Sequence, residues 1–310
     1  MVLAVSLVIL ALPTGTPTVI VGLGDPVAVQ HSIAANERSY KEQGYLMLSN
    51  REALARLTGL DAPHTPDPIG LVRMIADARQ LESRFESKKA NELRRLVYAA
   101  YEQALWPDAE LRSLAAQALH DLAASFWAEG HADDAQKQAT LALLEFPDQP
   151  VDERRHAPSM RRRFDQVFAG LGPVPRGTVS IVVDRPATIF VDGLRAVVGV
   201  TTGRLDLQTG KHRIWAADDF GRSLSQCIEL GQSEVMLRFN LALDERLAVE
   251  PNLALRCSGD CVSALRQLGE RLGARVVGVE PIPSGDKGVR LSTTYQPGTP
   301  ESYMTSFSAG

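Results

Sequence analysis

At 310 residues the chain is longer than one small core can fill and of a length for two or three domains. Hydrophobic residues at 45% and charged residues at 23% exclude a chain disordered throughout, and also a fibrous one. A net charge of −4, from 33 basic and 37 acidic residues, leaves no global excess that would draw it to nucleic acid or to an anionic membrane surface.

Residues 2–12 form an apolar run broken only by Ser6 and closed by Pro13 and Pro17. That length suits the core of a signal peptide and is too short to span about 30 Å of hydrocarbon. Residues 1–17 are therefore expected to be a signal segment, giving a periplasmic product of a Gram-negative-type envelope with no integral span in the mature chain. No Lys or Arg precedes the run and no Ala-x-Ala site follows it. The alternative is a buried first strand or helix of a cytosolic domain.

Residues 18–23 read as a short buried strand, followed by a polar helical stretch to Gln43 and a second strand over 45–48. Ser49 and Glu52 have capping-box spacing before the apolar positions Leu54, Leu57 and Leu60. This predicts a small β-α-β-α unit over residues 18–62. Pro63, Pro66 and Pro68 cannot continue a helix, because each removes a backbone donor and restrains its predecessor, and a boundary is expected there.

From 69 to 146 apolar residues recur at intervals of three and four, which predicts helices with one buried stripe each. Leu119, Leu122, Ala123 and Phe126 fall on one face, Gly130 breaks the chain, and Ala135, Ala139 and Ala142 lie on the facing helix before Pro147. Residues 116–149 resemble one tetratricopeptide repeat, with Ala123, Gly130, Ala135, Ala142 and Pro147 at its packing, turn and exit positions. The resemblance implies a TPR-like helical array over residues 66–172. An arginine cluster follows at Arg154, Arg155, Arg161, Arg162 and Arg163. Arg161, Arg162 and Arg163 are candidate contacts for a partner or an anion; the alternative is a solvated face of a helix that buries Met160, Phe164 and Phe168.

After residue 175 the period switches to two. Strands are predicted over 178–183 and 187–191, with Asp192-Gly193 as a hairpin turn, then over 212–216, 225–229 and 234–239. Pro186, Ala187, Val191, Asp192, Gly193, Gly210 and Gly221, in that order, resemble the PEGA domain, a small surface β-domain of bacterial and archaeal envelope proteins. Asp184-Arg185-Pro186-Ala187 stands where that family has Pro-Glu-Gly-Ala. The resemblance implies an exported, non-catalytic antiparallel β-sandwich over residues 175–240.

Residues 248–296 read as a C-terminal α/β unit, with a helix over 262–272 stopped by Gly273 and strands over 275–279 and 289–294. The unit is loosely similar to the α/β module of the amino-terminal domain of TolB. Residues 297–310 are expected to be a mobile tail. Cys257 and Cys261 are spaced for a disulfide that staples the start of the helix in an oxidising compartment, with a redox or zinc role as the alternative. Cys227 is expected to stay free.

The six histidines show no ligand spacing, and Gly22-Leu23-Gly24 lacks the third glycine of a dinucleotide fingerprint. No catalytic residue, metal or cofactor is therefore expected. The fold class expected is multidomain α+β: a TPR-like array, a PEGA-like sandwich and small α/β units at both ends. The function expected is a non-enzymatic scaffold contacting other envelope proteins, not nucleic acid; the alternative is a sensor of ligands or of cell-wall glycan.

Overall fold

The computed structural model describes residues 16–256, 261–280 and 291–295. The expected signal segment up to residue 15, Cys257 and the tail over 297–310 lie outside the described residues. In chain order the elements begin with β1 (Thr18–Leu23), α1 (Gln30–Glu42), α2 (Asn50–Thr58), α3 (Pro68–Ser83), α4 (Ser87–Gln103), α5 (Ala109–Ala128), α6 (Ala132–Glu145) and α7 (Pro158–Gly170). They continue with β2 (Arg176–Val191), β3 (Leu194–Gln208), β4 (Gly210–Ala217), β5 (Gln226–Leu230), β6 (Val235–Phe239) and α8 (Leu241–Asp244). Last come β7 (Leu247–Ala248), β8 (Ala254–Leu255), α9 (Cys261–Leu272), β9 (Arg275–Val279) and β10 (Leu291–Tyr295). The chain is thus a mixed α and β protein. It divides into two units, Met1–Leu57 with Arg246–Gly310, and Thr58–Glu245.

In the first unit every residue of β1 is buried, as the apolar run from Val19 to Leu23 requires of a strand covered on both faces. The sheet order is β10-β9-β1-β8-β7, with β1 parallel to both β8 and β9 and the outer strands antiparallel to their neighbours. The two stretches expected as separate units at either end therefore share one sheet. The strand expected over 45–48 shrinks to one bridge between Met47 and Thr18, with Leu46 60% exposed, because β8 and β9 take the long edges of β1. The capping box forms: Ser49 N donates to Glu52 Oε2 at 2.7 Å, and Glu52 N donates to Ser49 Oγ at 3.2 Å. On α9, Ala264, Leu265, Leu268 and Leu272 are buried, and Gly273 at φ 58° ends the helix.

In the second unit α3 to α7 pack each on the next. Asp67 and Asp108 cap α3 and α5 with side-chain oxygens, and Pro68 sits in the first turn of α3, where its missing N–H costs nothing. Leu71, Val97, Leu119, Leu122, Phe126, Ala135, Ala142 and Phe146 share one core. Ala123 leaves that core for a smaller cluster with Ala139 and Phe164. The expected opposition of Ala123 and Ala135 is thus replaced by two separate contacts, since Phe164 of α7 draws Ala123 to the other side of α5. Gly130 turns the chain between α5 and α6 at φ 82°, a left-handed conformation that suits a residue without Cβ.

The sheet of the second unit is built on one 16-residue strand, β2, where two strands of a sandwich were expected. Its first half pairs with the second half of β3 and with β6; its second half pairs with the start of β3 and with β4. The register slips between Val182 and Ala187, so β2 bulges and changes partners at Arg185-Pro186 without ending. β6 runs parallel to β2, which corrects the all-antiparallel expectation; the chain reaches it from β5 on the far side of β4 and α8 then closes the end. Asp192 and Gly193, at φ 51° and 89°, make a two-residue turn of the twist that a hairpin favours.

Candidate functional site

The helical block and the sheet of the second unit are joined by arginines that local sequence patterns do not single out. Arg213 on β4, 7% exposed, donates to the carbonyls of Tyr101 and Glu102 at the end of α4, at 2.6 Å each, with its guanidinium over the Tyr101 ring. These carbonyls are among those a helix end leaves unsatisfied, and a cation there also complements the helix dipole. Arg112 on α5 donates to the Asp192 carbonyl at 3.1 Å, pairs with Asp148 and covers the Phe146 ring. Trp106 Nε1 donates to the Ser223 carbonyl at 2.7 Å, and Arg222 lies 3.8 Å over its ring. Gly193 fits against the α4–α5 connection so tightly that a Cβ would lie 3.0 Å from the Asp108 carbonyl.

Beside this junction lies a cleft of about 770 Å³. Leu60, Leu141, Leu144, Pro147, Val191 and Leu194 supply apolar wall, Glu102, Glu145, Asp148 and Asp192 supply carboxylates, and Arg112, Arg176, Lys211 and Arg213 supply cations. Glu145 accepts the Tyr98 hydroxyl at 2.9 Å. Burial raises the Glu145 carboxyl above the usual carboxylate range, with the Glu102 and Asp192 charges adding. Burial likewise raises the Tyr98 phenol, with Glu145 adding. His212 Nδ1 meets Asp192 Oδ2 at 2.7 Å and Nε2 meets the Gln208 carbonyl at 2.6 Å. Burial opposes its charging, yet the Asp192 bond and charge outweigh that and raise the imidazole. With both nitrogens facing acceptors, His212 serves to lock the hairpin and has no nitrogen left for a substrate. Cys227 carries a free, half-buried thiol that burial pushes up, which disfavours the nucleophilic thiolate.

Four residues of the two family resemblances meet on this cleft: Pro147 from the helices, and Val191, Asp192 and Gly210 from the sheet. Gly193 sits at the junction beside it. Ala123, Gly130, Ala135 and Ala142 stay within the helical block. Pro186 lies exposed at the β2 bulge, Ala187 is buried in the core against the sheet, and Gly221 packs so that a Cβ would meet Glu245 at 2.9 Å. Where the PEGA name motif is broken, Asp184 accepts from Leu241 N and Ala242 N at the start of α8, and Arg185 pairs with Asp218 and Glu245. The arginine run does not act as one patch. Arg155 turns in to Asp121, Arg161 pairs with Glu153, Arg163 lies over Trp127, and Arg162 is exposed. Cys261 begins α9, but its expected partner Cys257 lies outside the described residues.

Among the described residues no three His, Cys, Asp or Glu side chains are placed to hold a metal ion, and no helix is long and apolar enough to cross a membrane. No family model matches the chain, and no curated protein does.

Proposed function

We propose that the protein is a non-catalytic, periplasmic scaffold of a cell-envelope assembly, in which the cleft between its TPR-like helices and its PEGA-like sandwich receives a segment of a partner protein. The observation that carries this reading is the junction itself. Arg213, Arg112 and Trp106 fix the helices to the sandwich, so the cleft is held open at a fixed geometry, and a preorganised site spares a partner the cost of ordering it. Its apolar wall, flanked by side chains of both charges, suits an apolar segment that carries polar residues at its ends. Export and the Cys257–Cys261 bridge belong to the same reading. For the glycan alternative, Trp215 matters most: it is 5% exposed and stacked on Phe190, so its faces are not offered to a sugar ring.

A photo-crosslinking amino acid at Leu144 or Leu194 tests the reading in intact cells, with mass spectrometric identification of the products. The expected result is one discrete envelope protein captured from both positions, and not from Thr202 on the exposed part of β3. Capture that is the same from Thr202, or of cytoplasmic proteins only, would overturn it.

A further inference from the structure

A second cavity, of about 400 Å³, opens among α3, α4, α5 and the start of α7. Its size is that of a small-molecule site. Three guanidiniums reach it from three different elements: Arg79 from α3, Arg94 from α4 and Arg155 from the turn before α7. Arg94 is 1% exposed; it donates to Glu82 Oε2 at 2.6 Å and to Asn91 Oδ1 at 2.8 Å, while its Nε has no partner. Arg155 donates to Asp121 Oδ2 at 2.6 Å, and His156 Nε2 lies 3.2 Å from the other oxygen of the same carboxylate. Arg79 makes no ion pair among the described residues. Ala157, Ser159 and Met160 at the start of α7 complete the wall.

Three guanidiniums thus share the two carboxylates of the lining, Glu82 and Asp121, in a place where water is partly excluded. Cations crowded in this way repel one another; burial lowers the affinity of Arg155 for its proton, and the charges of Arg79 and Arg94 lower it further against the pull of Asp121 and of Asp152 outside the lining. An anion is what the arrangement lacks. We infer that this cavity binds an oxyanion of the phosphate type, either free phosphate or a phosphate monoester. A planar carboxylate is served by one guanidinium fork, whereas donors arriving from three elements suit oxygens pointing in several directions. Glu82, whose side chain is 43% exposed, occupies the Arg94 fork in the empty state and is the group that an incoming anion displaces.

Calorimetric titration of the full chain at pH 7 and constant ionic strength separates the outcomes, with inorganic phosphate, glycerol phosphate and chloride as probes. Saturable binding of phosphate or of the ester is expected, without binding of chloride. Phosphate binding at least as tightly as the ester assigns the site to the free ion, and tighter ester binding assigns it to the monoester. Arg79→Ala, at an exposed and unpaired position, should weaken binding at least tenfold with the fold intact. Glu82→Gln should tighten it severalfold, by freeing the Arg94 fork. No saturable binding, or unchanged affinity in both variants, would overturn the inference.

Discussion

His120 lies on α5, 4% exposed, edge-on to the Phe164 ring at 5.2 Å, with its Nε2 unpartnered. Burial, and then the neighbouring His156, lowers its pKa to about 4. The folded value lies below the unfolded value of about 6.5, so between these limits the unfolded chain binds more protons. Stability is therefore fully present above pH 6.5 and is lost as the pH falls towards 4, by up to about 3 kcal/mol. The Asp121 carboxylate next to it is held low, against burial, by the His156 bond and Arg155, so its own contribution survives until the pH falls below its ordinary range. His120→Phe should remove the acid loss. Relative to wild type it should gain about 2 kcal/mol between pH 7 and pH 5 in urea unfolding. All three tryptophans, Trp106, Trp127 and Trp215, fall within Thr58–Glu245, so their fluorescence reads this unit alone. Identical pH dependence in the two proteins would mean that His120 titrates as it does in water. At this scale the legible residues are those whose partners are close in sequence, such as Ser49 with Glu52 and Asp192 with Gly193. Arg94, Arg112 and Arg213 were not legible. In sequence a buried arginine reads as surface, and what buries these three is an acceptor 12, 36 or more than 100 residues away.

The helical hairpin turns on small residues. Ala123 is fully buried against Ala139 and Phe164, and the aromatic edge of Trp127 closes the same pocket, with its ring 5.0 Å from Phe164. Ala123→Leu adds three carbons where none fit and should lower stability by roughly 1–3 kcal/mol, read as a drop in the thermal midpoint of tryptophan fluorescence. A midpoint within error of wild type would mean that α7 does not seat on α5. Periodicity made the helices and most strands legible, because burial of one face is a local pattern. It could not show that β2 runs through Arg185-Pro186, since what carries the strand past proline is remote: Asp184 caps α8, and Arg185 is held by Asp218 and Glu245. The candidate cleft was legible only as separate fragments for the same reason. Pro147, Val191, Asp192 and Gly210 stood out in their own modules, but nothing local in the sequence indicates that they face one another.

The first unit is assembled from two stretches on either side of the second in the chain. Gly22 and Leu23 pair with Ala254 and Leu255, and Thr18 to Gly22 pair with residues 275–279. A chain ending at Glu245 keeps the whole of the second unit but supplies β1 with neither long neighbour. In limited proteolysis of such a truncation, residues 18–57 should be cut at least tenfold faster than in the full chain, while Thr58–Glu245 keeps its cooperative fluorescence transition. Equal protection of residues 18–57 in both would show that β1 is held by something other than β8 and β9.

This placement of β1 also sets a timetable for biosynthesis. The strand Thr-Val-Ile-Val-Gly-Leu is translated before its partners, which follow some 230 residues later. At about 5–20 residues per second the ribosome needs roughly 10 to 50 s to deliver them. The second unit has all its own strands and helices before β8 exists, so its core does not depend on the late strands. Throughout that interval β1, apolar from Val19 to Leu23, has both hydrogen-bonding edges unpaired and is open to pairing with other chains until β8 and β9 arrive.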